Sequence, residues 1–191
     1  MITVKCKIKG IVPAMHHKYP LPDKPGDRKR KKAQTPDEMC YMDTKGVYLP
    51  ADNLRMMLIG NQYRQGVAYI LGSDIEARKG KRYKEFCKSC VWVVGPDDAL
   101  KVYYEPSRKK YDRTDIRSFI TSTGGRDVCE RPLIDLPWSL TFIVHITDSS
   151  IDIDKVKEFF EVAGLRCGAG NYGPTFGRFI VKNWEVQNDK K

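Results

Sequence analysis

The chain has no apolar run approaching the ~20 residues that a membrane-spanning helix requires, so a helical membrane protein is excluded from the readings. Its opening residues, Met1-Ile2-Thr3-Val4-Lys5-Cys6, lack the pattern of a secretory leader, and its six cysteines are scattered rather than framed. Together these features predict a cytoplasmic protein with reduced thiols and no membrane partner. Histidine is scarce, with three in 191 residues. No Ser–His–Asp arrangement and no nucleotide-triphosphate motif stands out, no residue pattern calls for a cofactor, and no repeat of the solenoid kind is present. Acid is also in short supply. Against 34 Lys and Arg stand 24 Asp and Glu, a formal balance of +10 that favours polyanionic partners, nucleic acid above all.

The positive charge is clustered. One cluster is Arg28-Lys29-Arg30-Lys31-Lys32, a second runs from Arg78 to Lys84, and a third joins Arg108-Lys109-Lys110-Tyr111 to Arg113 and Arg117. Near the C-terminal end lies a glycine-rich run, Gly164 to Phe179, in which Gly168-Ala169-Gly170-Asn171-Tyr172-Gly173 fits the pattern GxGxxG. That pattern holds a dinucleotide only when a strand leads in and a helix leaves, because the helix N-terminus meets the pyrophosphate. Here an amphipathic segment precedes it and a strand-like one follows, so the cofactor reading fails on context. Two readings stand: a bare backbone that lets phosphates approach its N–H groups, or a loop that lets helix and strand pack closely.

Residues 2–12 alternate, with Ile2, Val4, Cys6 and Ile8 on one face and Thr3, Lys5, Lys7 and Lys9 on the other, the mark of a half-buried strand with a basic wet face. Residues 13–46 hold few apolar side chains and five prolines, which predicts a mobile basic insertion without core. Pro50 suits a first helical turn, and Leu54, Met57 and Leu58 then share a face. Cys90 to Val94 reads as a short apolar strand. The segment 97–137 is charged and turn-rich, with Leu100–Tyr104 and Ile116–Ile120 as candidate hairpin arms. Trp138–Ile146 reads as a central strand and Phe179–Val186 as the last one. Between them, Val156, Phe159, Phe160 and Ala163 follow helical spacing behind Asp152 or Asp154 as cap. The sum is β-α-β-β-α-β, an α+β fold of ferredoxin-like (RRM-like) order with an antiparallel sheet and two insertions.

This helix–glycine loop–strand ending resembles the RAMP superfamily of CRISPR effector proteins. Three further stretches are similar: Val47 to Arg55 as the strand-to-helix junction, Cys87 to Gly95 before the second strand, and Arg131 to Trp138 before the third. The resemblance implies a single domain over 1–191, RNA as partner, and guide RNA in particular, coated by a backbone-type subunit that self-assembles along it or joins other effector subunits. The insertion 97–137 takes the place of the family's thumb. The chain is short for such a subunit and has Ala51-Asp52-Asn53 where members often carry glycine and serines, which suits a solitary or phage-borne relative, including one that docks onto an effector complex as a mimic.

For single-stranded RNA the residues expected to make contact are Lys5, Lys7 and Lys9 on the strand and Arg55 at the helix start. Arg108, Lys109, Lys110, Arg113 and Arg117 would serve on the thumb. Arg166, Gly168, Gly170, Asn171, Tyr172, Gly173 and Arg178 would serve around the glycine loop. The enzymatic alternative is an endoribonuclease. His16 or His17 would then serve as general base or acid in guide processing, or else Asp37, beside Glu38, the acid that the resemblance places between first strand and first helix, would support metal-assisted target cleavage. His145, inside an apolar strand, reads as structural. Cys87 and Cys90 have metal-ligand spacing, but a structural zinc needs four ligands and no second close pair exists, so they read as reduced thiols.

Overall fold

A computed structural model describes residues 1–19, 34–60, 65–97, 99–120 and 124–187. The basic cluster Arg28–Lys32 lies outside the described residues. In chain order the elements are β1 (Ile2–Gly10), β2 (Ala14–Met15), α1 (Pro36–Met39), β3 (Tyr48–Pro50), α2 (Ala51–Ile59), α3 (Val67–Ser73) and α4 (Ala77–Cys90). There follow β4 (Val91–Val94), β5 (Lys101–Glu105), β6 (Arg113–Ile120), β7 (Arg126–Ile134), β8 (Ser139–Ile146), α5 (Ile153–Arg166) and β9 (Phe179–Gln187).

Strand β1 forms because its apolar residues recur every second position and have a core to enter: Val4, Cys6 and Ile8 are fully buried. It lies between β8 and β9, antiparallel to both, with Lys5 opposite Ile143 on one side and Glu185 on the other. The outer edge of β8 is shared. Strand β4 pairs with its Ile143–Ile146 half, β5 with Ser139 and Leu140, and β3 extends the sheet beyond β5. The run β1-α2-β4-β8-α5-β9 is thus the ferredoxin-like α+β order expected from the sequence.

Helix α5 starts where the Asp152 carboxylate accepts the Asp154 N–H, and it buries Val156, Phe159, Phe160 and Ala163. The Phe160 ring meets Phe142 of β8 at 5.6 Å and Trp184 of β9 at 5.7 Å. From α2, Leu54, Met57 and Leu58 enter the same core. Burying a side chain of this size stabilises by about 1.5–3 kcal/mol, so the helical faces hold the sheet. At the far end of β1, Gly10 has no room for a side chain: a Cβ there would lie 2.1 Å from the Trp138 ring. The Trp138 indole donates to the Val12 carbonyl at 2.9 Å.

Two expectations are corrected. The ends of insertion 13–46 are not coreless, since Ala14, Met15, Met39 and Cys40 are buried. Leu100–Tyr104 and Ile116–Ile120 do not pair. Val102 and Tyr104 are buried in the main core, so β5 joins the main sheet, while β6 pairs with β7, and β7 with β2, as a second, three-stranded sheet. Between α2 and β4 the chain inserts the helical pair α3–α4, which carries the second basic cluster. These two cross where Gly72 faces Gly80, with 2.6 Å between a Cβ built on Gly72 and the Gly80 Cα. Among the described residues, no helix is long and apolar enough to cross a membrane.

Candidate nucleic-acid interface

Lys5, Lys7 and Lys9 project from β1 on the sheet face away from the helices. Lys7 is held by Glu105 at 2.6 Å. Burial opposes ionisation of Glu105, but hydrogen bonds from Lys7, Thr141 and Ser139 outweigh it and hold the carboxyl below its usual range. Lys5 and Lys9 are exposed, and among the described residues neither has a counter-ion. Aromatic rings flank them. Trp92, 51% exposed, sits in register with His145 and Thr3. At the other end Tyr103 meets Tyr48 at 5.8 Å and donates to Asp43, which also pairs with Lys101 at 2.6 Å.

The remaining expected cations are mostly committed within the protein. Arg55 donates from Nε to the Val91 carbonyl at 2.9 Å and from its guanidinium to the Lys88 carbonyl, and it lies 4.7 Å over the Trp92 ring. It therefore clamps the β4 edge instead of presenting a free charge. Arg108 gathers Asp112 and the carbonyls of Pro106, Asp135 and Pro137. Lys109 donates to the Thr44 carbonyl, Lys110 pairs with Asp37 at 2.9 Å, Arg113 with Asp135 at 2.9 Å and Arg117 with Asp115 at 2.6 Å. Arg166 ends α5 on the surface, and Arg178 is exposed just before β9.

The glycine loop is built for close packing. Gly168, Gly170 and Gly177 have φ of +73°, +89° and +74°, and a Cβ on Gly177 would lie 1.8 Å from the Ala169 carbonyl oxygen. Its main-chain donors are spent internally. Gly168 N–H goes to Ala163, Ala169 to Gly177, Asn171 to Met15 and Gly177 to Pro13, while Gly170 N–H donates to the Asn53 side chain at 2.9 Å. A phosphate cradle made of these N–H groups is therefore corrected: at 168–171 the close-packing reading holds. Tyr172, at φ +58°, turns outward, its hydroxyl donating to the Ser118 carbonyl, and Gly173 follows it half-buried.

Around Tyr172 stands a cluster that the sequence did not announce. Arg131 is 4% exposed, lies 5.2 Å over Tyr172 and 5.7 Å over Phe119, and donates from Nε to His17 Nδ1 at 3.0 Å. Its Nη1 is buried without a partner among the described residues. Arg117 lies 4.8 Å over Phe176. Next to the cluster a pocket of about 40 Å³ is lined by His16, His17, Tyr41, Leu49, Asn53, Gly170 and Asn171. A larger cleft of about 150 Å³ adjoins it through Asn53 and Gly170, lined also by Met56, Met57, Gly60, Gln65, Cys167 and Gly168. None of these lining residues carries a carboxylate.

The two histidines are adjacent but differ. His16 is buried between Tyr104 Oη at 2.9 Å and the Tyr41 N–H, and burial lowers its pKa to about 3, which leaves it a neutral core group. Burial first, then the Arg131 charge, lowers the pKa of His17. Asp37 lies outside this pocket, and hydrogen bonds from Lys110 and Tyr111 hold its carboxyl low. The two enzymatic routes would therefore use separate places, the histidines at the pocket and Asp37 beside Lys110. His145 meets Thr3 Oγ1 at 3.3 Å. Cys87 is buried, which pushes its thiol up to about 12, and Cys90 lies beside Ser89 Oγ. Among the described residues no three His, Cys, Asp or Glu converge on a metal-sized site.

Of the residues missed, Asn53 had a faint signal, a polar side chain in a helical first turn of the Leu49-Pro50 junction. Arg131 had none, because nothing in Glu130-Arg131-Pro132 marks a buried guanidinium. No family model matches this chain, and no curated protein does. Among solved structures it is similar to a chain of the Type III-B Cmr-beta complex bound to cognate target RNA, determined by cryo-electron microscopy, with 10% identity and a TM-score of 0.44. The match covers 97% of this chain, which spans 60% of the length of that one.

Proposed function

We propose that this protein binds single-stranded RNA without cutting it, as a one-domain RAMP-like relative of the subunits that coat guide RNA in CRISPR effector complexes. The observation that carries the reading is the pair Lys5 and Lys9. They are two exposed ammonium groups without counter-ions among the described residues, about 13 Å apart along one strand. Aromatic rings flank them on which splayed bases can stack. The β6–β7 hairpin takes the thumb position, and the pairing of its Arg113 and Arg117 with acids sets it apart from the sheet face, where Lys5 and Lys9 have no counter-ion among the described residues. Other effector subunits, or further copies along the RNA, would be its partners in the cytoplasm.

Fluorescence anisotropy of a labelled single-stranded RNA, titrated from about 50 to 200 mM salt, tests this through counterion release. Binding is expected to weaken steeply, and Lys5→Ala with Lys9→Ala is expected to flatten the log–log slope by about 0.7 for each charge removed. No binding at the lowest salt, or a slope indifferent to the double substitution, removes the sheet face from consideration.

A further inference from the structure

We propose that the 40 Å³ pocket between His17, Asn53 and Gly170 is a docking site for one phosphate group, held by the side-chain donors of Asn53 and His17 in the field of Arg131. The inference rests on the RNA-binding reading for the source of that phosphate, and on the donor inventory for its chemistry.

Each of the two side chains has its accepting end consumed. Asn53 Oδ1 takes the Gly170 N–H at 2.9 Å, and since a backbone nitrogen can only donate, the carboxamide NH2 is the end left over. His17 Nδ1 takes the Arg131 Nε–H at 3.0 Å, and a guanidinium likewise has no acceptor, so the neutral ring carries its proton on Nε2. What these two side chains hold out to a ligand is the Asn53 NH2 and the His17 Nε2–H, three N–H bonds in all. Such donors suit an oxygen that brings lone pairs.

Charge narrows the choice from any carbonyl to an anion. The cluster beside the pocket holds two guanidinium groups, Arg117 and Arg131, and one carboxylate, Asp115, which lies opposite Arg131 in the strand register and is bound to Arg117 at 2.6 Å. Arg131 is 4% exposed and its Nη1 has no partner among the described residues. A cation withdrawn from water without a counter-ion is costly, and stacking on Tyr172 and Phe119 offsets only part of that cost. An anion seated on His17 would offset more. Asn53 also stands in the first turn of α2, where the helix end adds positive potential. The volume suits a phosphate's oxygens and not a nucleobase. The adjoining cleft past Met56 and Met57 gives the rest of a nucleotide somewhere to lie.

The substitution Asn53→Asp separates fold from ligand, because the carboxylate keeps an oxygen for the Gly170 N–H while replacing the free donor with negative charge. The full chain is tested in two arms, RNA anisotropy against salt and the rise of Tm on adding inorganic phosphate. The expected result is an unchanged or higher Tm in plain buffer, RNA affinity at least tenfold weaker at low salt, and no phosphate-induced rise. His17→Ala should also lose the rise, which guards against Asn53→Asp failing to fold. Wild-type affinity and a wild-type phosphate response in both variants overturn the pocket and leave RNA binding on the sheet intact. A phosphate response in the wild type and not in the variants, with no RNA binding by either, upholds the pocket and removes RNA as the phosphate's source.

Discussion

At the scale of single residues, His16 shows how burial converts an apparent catalytic group into a structural one. Tyr41 N–H donates to its Nδ1, so the ring proton sits on Nε2 and points at Tyr104 Oη. Protonating Nδ1 would break that arrangement and place a charge on a buried ring, hence the fall of the pKa from 6.5 to about 3. Because the folded pKa lies below the unfolded one, His16 favours the fold fully above pH 6.5, and that contribution is lost as pH falls from there towards 3. The loss runs at about 1.4 kcal/mol per pH unit. Thermal unfolding of His16→Gln should therefore show a shallower decline in Tm between pH 6.5 and 4 than the wild type. Parallel declines would mean that the imidazole is protonated within the folded protein.

At the scale of elements, the helical pair α3–α4 depends on a contact that only glycine permits. With Gly72 against Gly80, the two backbones come close enough for α4 to bury Phe86 and Cys87 while Lys79, Lys81 and Arg82 stay outside. Substituting Gly72→Val should prise the pair apart and open the Cys87 thiol, raising its rate of modification by a disulfide reagent at least tenfold. An unchanged rate would show that the crossing is not what seals it. The same pair was illegible in the sequence, because cations and glycines interrupt the apolar spacing that announces a helix. By contrast β1, β8, α5 and β9 were legible, since Val4-Cys6-Ile8 and Val156-Phe159-Phe160-Ala163 each keep one period throughout. The arms 100–104 and 116–120 looked alike on paper. What separated them was depth: Val102 and Tyr104 reach the main core, whereas Ile116 and Ile120 remain exposed. Of the candidate site, the wet lysines could be read from alternation. Asn53 left only a faint trace and Arg131 none, because their importance comes from residues over a hundred positions away, Gly170 and His17.

At the scale of the whole molecule, a formal charge of +10 is unevenly available. The hairpin cations are largely neutralised by their own acids, whereas Lys5 and Lys9 are not. Surface pairs of this sort contribute little to stability, about 0–1 kcal/mol each, but they decide what a polyanion encounters. Arg113→Ala should therefore leave the salt slope of RNA binding nearly unchanged, since Asp135 already answers that charge at 2.9 Å, and Lys5→Ala is the direct comparison. Equal losses from the two would show that RNA competes Asp135 away and that the thumb shares the load.

Placing β1 between β8 and β9 also has a consequence for how the chain is made. Strand β1 finds its neighbours only after more than a hundred further residues have followed, and the second of them only when β9 arrives. Until then both its edges are open ribbons of unpaired amide groups. The wet lysines that alternate along β1 therefore carry a second expectation, independent of any ligand: like charges along an open edge oppose the pairing of one unfinished copy with another.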